Sequence, residues 1–239
     1  MAQNTTNILV GAANLSVGSY SSDWNGQGDT LWNQIKQLVP GKDFRTWATA
    51  SAAQTVTITG AVQIPLGGGT NVAGVGSCVF KDVGLTQEGV EVQYQPDFGE
   101  VEVDQLLDAA KLFKQKMTVS VATTFAEATL DNLMTVWAQA SGTQYTDTGT
   151  STSAGAVRMS GGALGEAPIE KALFFVGNAP GANATTYRQR VYLATRALSV
   201  EASSHALRRS EATVFPVTFR LLPDTAASYS AYGRVVDVS

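Results

Sequence analysis

The stretch Met117 to Ala140, MTVSVATTFAEATLDNLMTVWAQA, constrains the fold more than any other, because its hydrophobic period switches from that of a strand to that of a helix within a few residues. From Met117 to Thr124 the larger apolar residues Met117, Val119 and Val121 alternate with Thr118, Ser120 and Ala122, as in a strand with one face on a core. Thr124 followed three residues later by Glu127 has the form of a capping box, in which each side chain satisfies a backbone N–H at a helix start. Beyond it Leu130, Leu133, Met134 and Trp137 fall at helical spacing, while Asp131, Asn132 and Gln139 take the other positions. A single amphipathic helix in a chain that otherwise reads as strands and loops must lie against a sheet.

The remaining strands are read from the same period-two signal. Asn7 to Val17 predicts a first strand, and Val79 to Gln95 predicts two more, with Val90, Val92 and Tyr94 on one parity. Ile169 to Val176 is a short apolar run of the buried kind. Thr185 to Leu198 places Tyr187, Val191, Leu193 and Ala197 on one side and Arg188, Arg190 and Arg196 on the other. Glu211 to Leu222 is a further strand, in which Pro216 points to an edge or a bulge, and Tyr232 to Val238 closes the chain. Ser141 to Gly165 is rich in Thr, Ser and Gly and reads as a long loop or exposed hairpin.

Residues 18–77 have a different character. They are rich in Gly, Ser, Ala and Asn, and hold Trp24, Trp32 and Trp47, three of the four tryptophans. A short helix is expected around Thr30 to Leu38, a strand or hairpin from Gln54 to Ile64, and a glycine link at Gly67 to Gly69. The expected organisation is a β core from residues 1–17 and 78–239, with 18–77 as an insertion or small subdomain. The fold class is mainly β: an antiparallel β-sandwich or barrel with one flanking α-helix, long loops or arms and an inserted segment.

At 239 residues the chain can bury a sizeable core, and a net charge of only −4 gives it no general affinity for polyanions. The N-terminal residues have neither a basic region nor a long apolar run, so synthesis in a cytoplasm without a signal peptide or membrane anchor is expected. Charge is unevenly spread. No basic residue lies between Lys81 and Lys111, where Glu88, Glu91, Glu100, Glu102 and Asp104 are found with further carboxylates. Arg188, Arg190, Arg196, Arg208 and Arg209 form an answering set downstream. These two sets are complementary in charge.

The words GLTQEGVEVQYQPDFGEVEVDQ, from Gly84 to Gln105, then MTVSVATTFAEATLDNLMTVWAQ, EATVFPVTFRLLPD and YGRVVDV, occur in an order that resembles the major tail tube protein of tailed bacteriophages. The resemblance covers roughly residues 7–17 and most of 79–239, and leaves 18–78 unexplained. It implies a structural virion protein of the tail, made in the host cytoplasm. Such proteins form hexameric rings whose inner strands pool into one barrel, and the rings stack into a tube. The resemblance makes the acidic and arginine sets candidate contacts between subunits, the acidic one facing either a ring interface or a pore. It further implies self-assembly around a tape-measure protein, contacts with a tail terminator and with tail-tip or baseplate proteins, and passage of DNA without specific binding. A related ring-former, such as a terminator, a baseplate-proximal tube or the tube of a bacterial injection machine, fits the same words.

Chemistry is weakly signalled. His205 is the sole histidine, and no G-x-S-x-G elbow accompanies it. Cys78 is the sole cysteine, which excludes an intrachain disulfide. Gly67 to Gly69 lacks the Lys-Ser/Thr of a phosphate loop, and no D-x-D-x-D-G spacing marks a calcium loop. No cofactor or metal is expected, and an enzyme is the least favoured reading. Trp24, Trp32 and Trp47 could form a sugar platform in a carbohydrate-binding or adhesion sandwich, although anchors of a small core are the more frequent use of such residues.

Overall fold

The computed structural model describes residues 13–19, 32, 35, 44–45, 54–58, 76–101, 111–138, 144–146, 155–157, 164, 168–180, 188–200, 204–210, 212–224 and 232–238. Within them the protein is mainly β, with one helix whose bounds are described. The strands are β1 (Asn14–Ser19), β2 (Gln54–Ile58), β3 (Gly76–Asp82), β4 (Thr86–Val101), β5 (Lys111–Phe125), β6 (Gln144–Thr146), β7 (Gly155–Val157), β8 (Lys171–Asn178), β9 (Gln189–Ser199), β10 (Phe215–Leu221) and β11 (Arg234–Val238); the helix is α1 (Leu130–Val136). The main sheet has the order β2-β3-β1-β8-β9-β10-β5-β4, with β11 also paired to β9. Every pairing is antiparallel. β6 and β7 form a separate small ladder inside the Thr- and Gly-rich stretch.

β8 sits at the centre and is buried on both faces. Ala172, Phe174 and Val176 enter a cluster with Phe80, Val191, Leu193, Trp32, Ile35 and Phe44. Leu173 and Phe175 enter the opposite cluster with Leu15, Val121, Phe125, Phe215 and Phe219. A strand surrounded in this way must be apolar on both parities, as its sequence KALFFVGN is. Trp32 stacks on Phe44 with ring centroids 5.5 Å apart, and Phe44 lies 6.5 Å from Phe174. Gln189 accepts backbone N–H bonds from both Phe44 and Arg45. Trp32 and Ile35 have helical backbone; the rest of the expected helix, and Trp24 and Trp47, lie outside the described residues.

The sheet divides at β9. Gln189 to Leu193 pairs with β11, whereas Ala197 to Ser199 pairs with β10 on the same side. Between these segments β9 shifts register against β8. Ala194 lies opposite Val191 and Leu193 by ordinary alternation, and the shift keeps Ala197 in that same opposite cluster, so Ala197 does not share the side of Val191 and Leu193 as strict alternation predicts. Among the described strands β5 alone pairs with Pro216, because pairing with β9 begins at Phe219. The strand is locally an edge there, which is where a residue without an N–H is tolerated.

The expected capping box is not formed. β5 runs on to Phe125, and Thr124 is a ladder residue opposite both Gln87 and Pro216. Ladder pairing on two sides outcompetes a helix start at Thr124, and the helix begins five residues later with Thr129 as N-cap, its hydroxyl accepting from the Asn132 N–H. It ends at Val136, with Ala138 in the left-handed region at φ 52°, instead of reaching Ala140. Met134 is buried; Leu133 and Trp137 are half-buried against the second cluster, and Leu130 is half-buried. Val136 and Asn132 are buried as well. The Asn132 side-chain amide donates to the carbonyls of Val83, at 2.8 Å, and Glu127, at 2.9 Å, so it is a structural tie instead of a solvated position.

Candidate assembly surface

β4 is the longest strand and ends the sheet. Among the described residues its only ladder partner is β5, so one row of its backbone N–H and C=O groups has no strand beside it. β10 covers β5 only from Ser120 to Phe125, while β4 pairs with β5 from Phe125 to Lys111. Beyond Ser120 the two strands therefore run on as a two-stranded ribbon. The sequence breaks PDFG do not interrupt it, because Pro96 stands opposite Met117 on this outer strand.

Two register shifts shape the ribbon. The first leaves Glu88 and Gly89 at φ 64° and 76°, and the Thr123 hydroxyl donates to the Gly89 carbonyl at 2.8 Å. The second passes over Gln115, so that Asp97 faces Lys116 and Phe98 faces Lys114. Gly99 fits there because a Cβ would come within 2.3 Å of the Gln115 side chain and 2.8 Å of the Phe113 ring.

One face of the ribbon continues the second core outward: Val92 is opposite Val121, and Tyr94 is opposite Val119. Past the body of the sheet this face carries Phe98 and Leu112, both exposed. Lys114 donates to the Tyr94 hydroxyl at 3.4 Å and lies 5.6 Å from the centre of that ring. Up to the second register shift the other face is polar, with Glu91, Gln93, Gln95, Thr118 and Ser120 in two short rows, the Gln93 amide donating to Glu91 at 3.0 Å, and Arg220 beside Ser120; Phe113 and Val101 emerge on it only beyond that shift.

The root of the hairpin is clamped by the β5–α1 junction. Glu127 accepts from the Leu85 N–H at 3.0 Å and lies against Gly84, which has φ +80° and no room for a Cβ. Asp82 accepts from the Gly84 N–H at 3.1 Å. Burial pushes the Asp82 carboxyl above its ordinary pKa, the Gly84 and Val83 N–H groups oppose this, and the Glu127 charge adds to it.

The acidic candidates fall in different places. Glu91 is exposed on the polar face and Glu88 at the first register shift; Glu100 is exposed far along the ribbon opposite Leu112. Glu102 and Asp104 lie outside the described residues. Arg196 and Arg190 each grip a carboxylate of the same chain. Arg196 makes a fork-to-fork pair with Glu170, both bonds 2.7 Å, and donates to the Pro223 carbonyl. Arg190 makes one with Asp237 at 2.6 and 2.8 Å, holding that carboxyl below its ordinary range and raising its own pKa. Strand pairing of β9 with β11 sets Arg190 directly opposite Asp237, so both guanidinium groups are already paired with a carboxylate of their own chain. Arg188, Arg208 and Arg209 are exposed.

Sequence reasoning overlooked the apolar residues of the ribbon. Their signal was present in Phe98, Val101, Leu112 and Phe113, which fall on both parities of strands otherwise bearing charge. His205 packs between Trp137 and Phe215, at centroid distances of 6.3 and 5.0 Å. Trp32, only 3% exposed, has no ring face to offer a sugar. Among the described residues no group of His, Cys, Asp and Glu side chains could hold a metal ion, and no helix is long and apolar enough to cross a membrane. No family model and no curated protein matches the chain.

Proposed function

We propose that this chain is a structural subunit that assembles with copies of itself into rings and a tube, in the manner of the tail tube proteins its sequence resembles, and that the tube conducts DNA. The observation that carries the reading is the outer edge of β4, a 16-residue strand with one row of backbone groups that no other strand pairs among the described residues, and that can continue a ladder into another molecule. β-strand addition along such an edge supplies main-chain hydrogen bonds, and ring closure removes the edges altogether. The polar face supports a conduit. Its Glu, Gln, Ser and Thr side chains with one arginine and the Asp97–Lys116 pair give a nearly neutral surface, and a duplex slides on such a surface because few cations are present to displace its counterions. Tape-measure, terminator and tail-tip partners and a place in the virion tail belong to this reading.

Electron microscopy of the purified protein at high concentration tests it. Rings or tubes with rotational symmetry are expected. A monomer that persists across salt and concentration overturns the proposal.

A further inference from the structure

The β4–β5 ribbon carries six of the large exposed hydrophobic residues, and Val235 of β11 adds another across a cleft from it. The cleft opens where β9 parts from β10, and has a volume of about 290 Å³. Tyr94, Val119, Phe175, Tyr192, Tyr232 and Val235 are among its walls, almost entirely apolar. Tyr192 is fixed by stacking on Phe175 at 4.5 Å, and Tyr232 by donating to the Met117 carbonyl at 3.2 Å. The hollow is thus held open by rigid rings.

The far part of the ribbon has the complementary form. Phe98 (55% exposed) and Leu112 (61%) project from one face, and Phe113 (42%) with Val101 from the other. A ribbon apolar on one face lies on a surface; one apolar on both is built to be surrounded. Phe98 is four residues beyond Tyr94 on the same strand, about 13 Å further out. The ribbon's outer part therefore cannot turn back into the hollow at its own base.

We propose that the outer ribbon of one copy, led by Phe98 and Leu112, inserts into the β9–β10–β11 cleft of a second copy. The contact joins two different surfaces, so each copy offers one of each. It is heterologous, and propagates until a ring closes or a filament grows. Burial of aromatic and aliphatic side chains in a preformed hollow gives it the character of a central anchor, with the β4 edge as its continuation. The inference rests on the self-assembly reading and specifies which surfaces meet.

Disulfide trapping with the full chain tests the pairing. In a Cys78→Ser background, Leu112→Cys and Val235→Cys are made in separate proteins, mixed, assembled and mildly oxidised. Cross-linked dimers are expected from the mixture at least tenfold above either protein alone. Absence of that excess, in material that assembles like the wild type, overturns the inference while leaving the self-assembly reading intact. A wild type that never assembles removes both. In parallel, Phe98→Asp/Leu112→Asp and Val235→Asp alter exposed positions. Each is expected to keep the far-UV spectrum and melting temperature of the wild type, and to raise the concentration needed for assembly at least tenfold. Unchanged assembly by both variants would equally reject the contact.

Discussion

β8 and β4 are both apolar on more than one parity, yet they occupy opposite environments. β8 is enclosed on both faces by two clusters and on both edges by β1 and β9. Among the described strands β4 has one neighbour, and Val92, Tyr94, Phe98 and Val101 are exposed. The first strand spends its hydrophobicity on folding the subunit; under the self-assembly we propose, the second holds its own for another copy. That proposal assigns monomer stability and assembly to different strands of one sheet.

The sharpest way to break that contrast is to make one substitution in each strand. Phe174→Ala, at a fully buried ring, is expected to cost about 3–5 kcal/mol in denaturant unfolding. Phe98→Ala is expected to change monomer stability by no more than about 0.5 kcal/mol while weakening assembly. A loss at Phe98 comparable to that at Phe174 would show that the ribbon is part of the subunit's core.

The two arginine forks sharpen the contrast at the level of charge. Arg196 and Glu170 have side chains 20% and 15% exposed, against 29% and 49% for Arg190 and Asp237. Arg196→Ala is expected to cost about 3 kcal/mol, because it strands a partly desolvated carboxylate, and Arg190→Ala less than about 1 kcal/mol. Equal losses in thermal melts would mean that exposure does not separate the pairs.

The smallest effect concerns the corner at the base of the ribbon. The Asp82 carboxyl has its pKa raised in the folded protein, so ionising it costs stability as pH climbs above the ordinary carboxylate value of about 4. Asp82→Asn is expected to raise the melting temperature slightly at pH 7, with the gain fading toward pH 4 as both states of the wild type become protonated. A gain that is constant across this range would remove the electrostatic cause.

Much of the fold was legible because local pattern and long-range packing agreed. Val119 and Val121 alternate as the sequence required and are buried, and the run KALFFV marks a strand with two buried faces. The failures have physical causes. Thr124 with Glu127 had the form of a helix cap, but Thr124 is held in a ladder opposite Pro216, 92 residues away, and the cap falls to Thr129. The β9 irregularity reversed the side on which Ala197 lies, something no period-two reading contains. The expected strand stopped at Gln95, whereas β4 runs through Pro96 and Gly99 to Val101, because sequence does not say that a strand is outermost. Of the candidate site, the exposed arginines Arg188, Arg208 and Arg209 were legible. The pairing of Arg190 and Arg196 was not, since each partner comes from a distant strand or its flank.

The Asn132 amide has a consequence for the order in which the molecule folds. A seven-residue helix has too few turns to persist alone in water, and α1 is tied through Asn132 to a carbonyl 49 residues earlier, at the corner where β3 gives way to β4. The helix is therefore expected to settle with the meeting of the two ends of the longest hairpin. In a refolding experiment, the part of the tryptophan fluorescence change that Trp137→Phe removes would report closure of that hairpin.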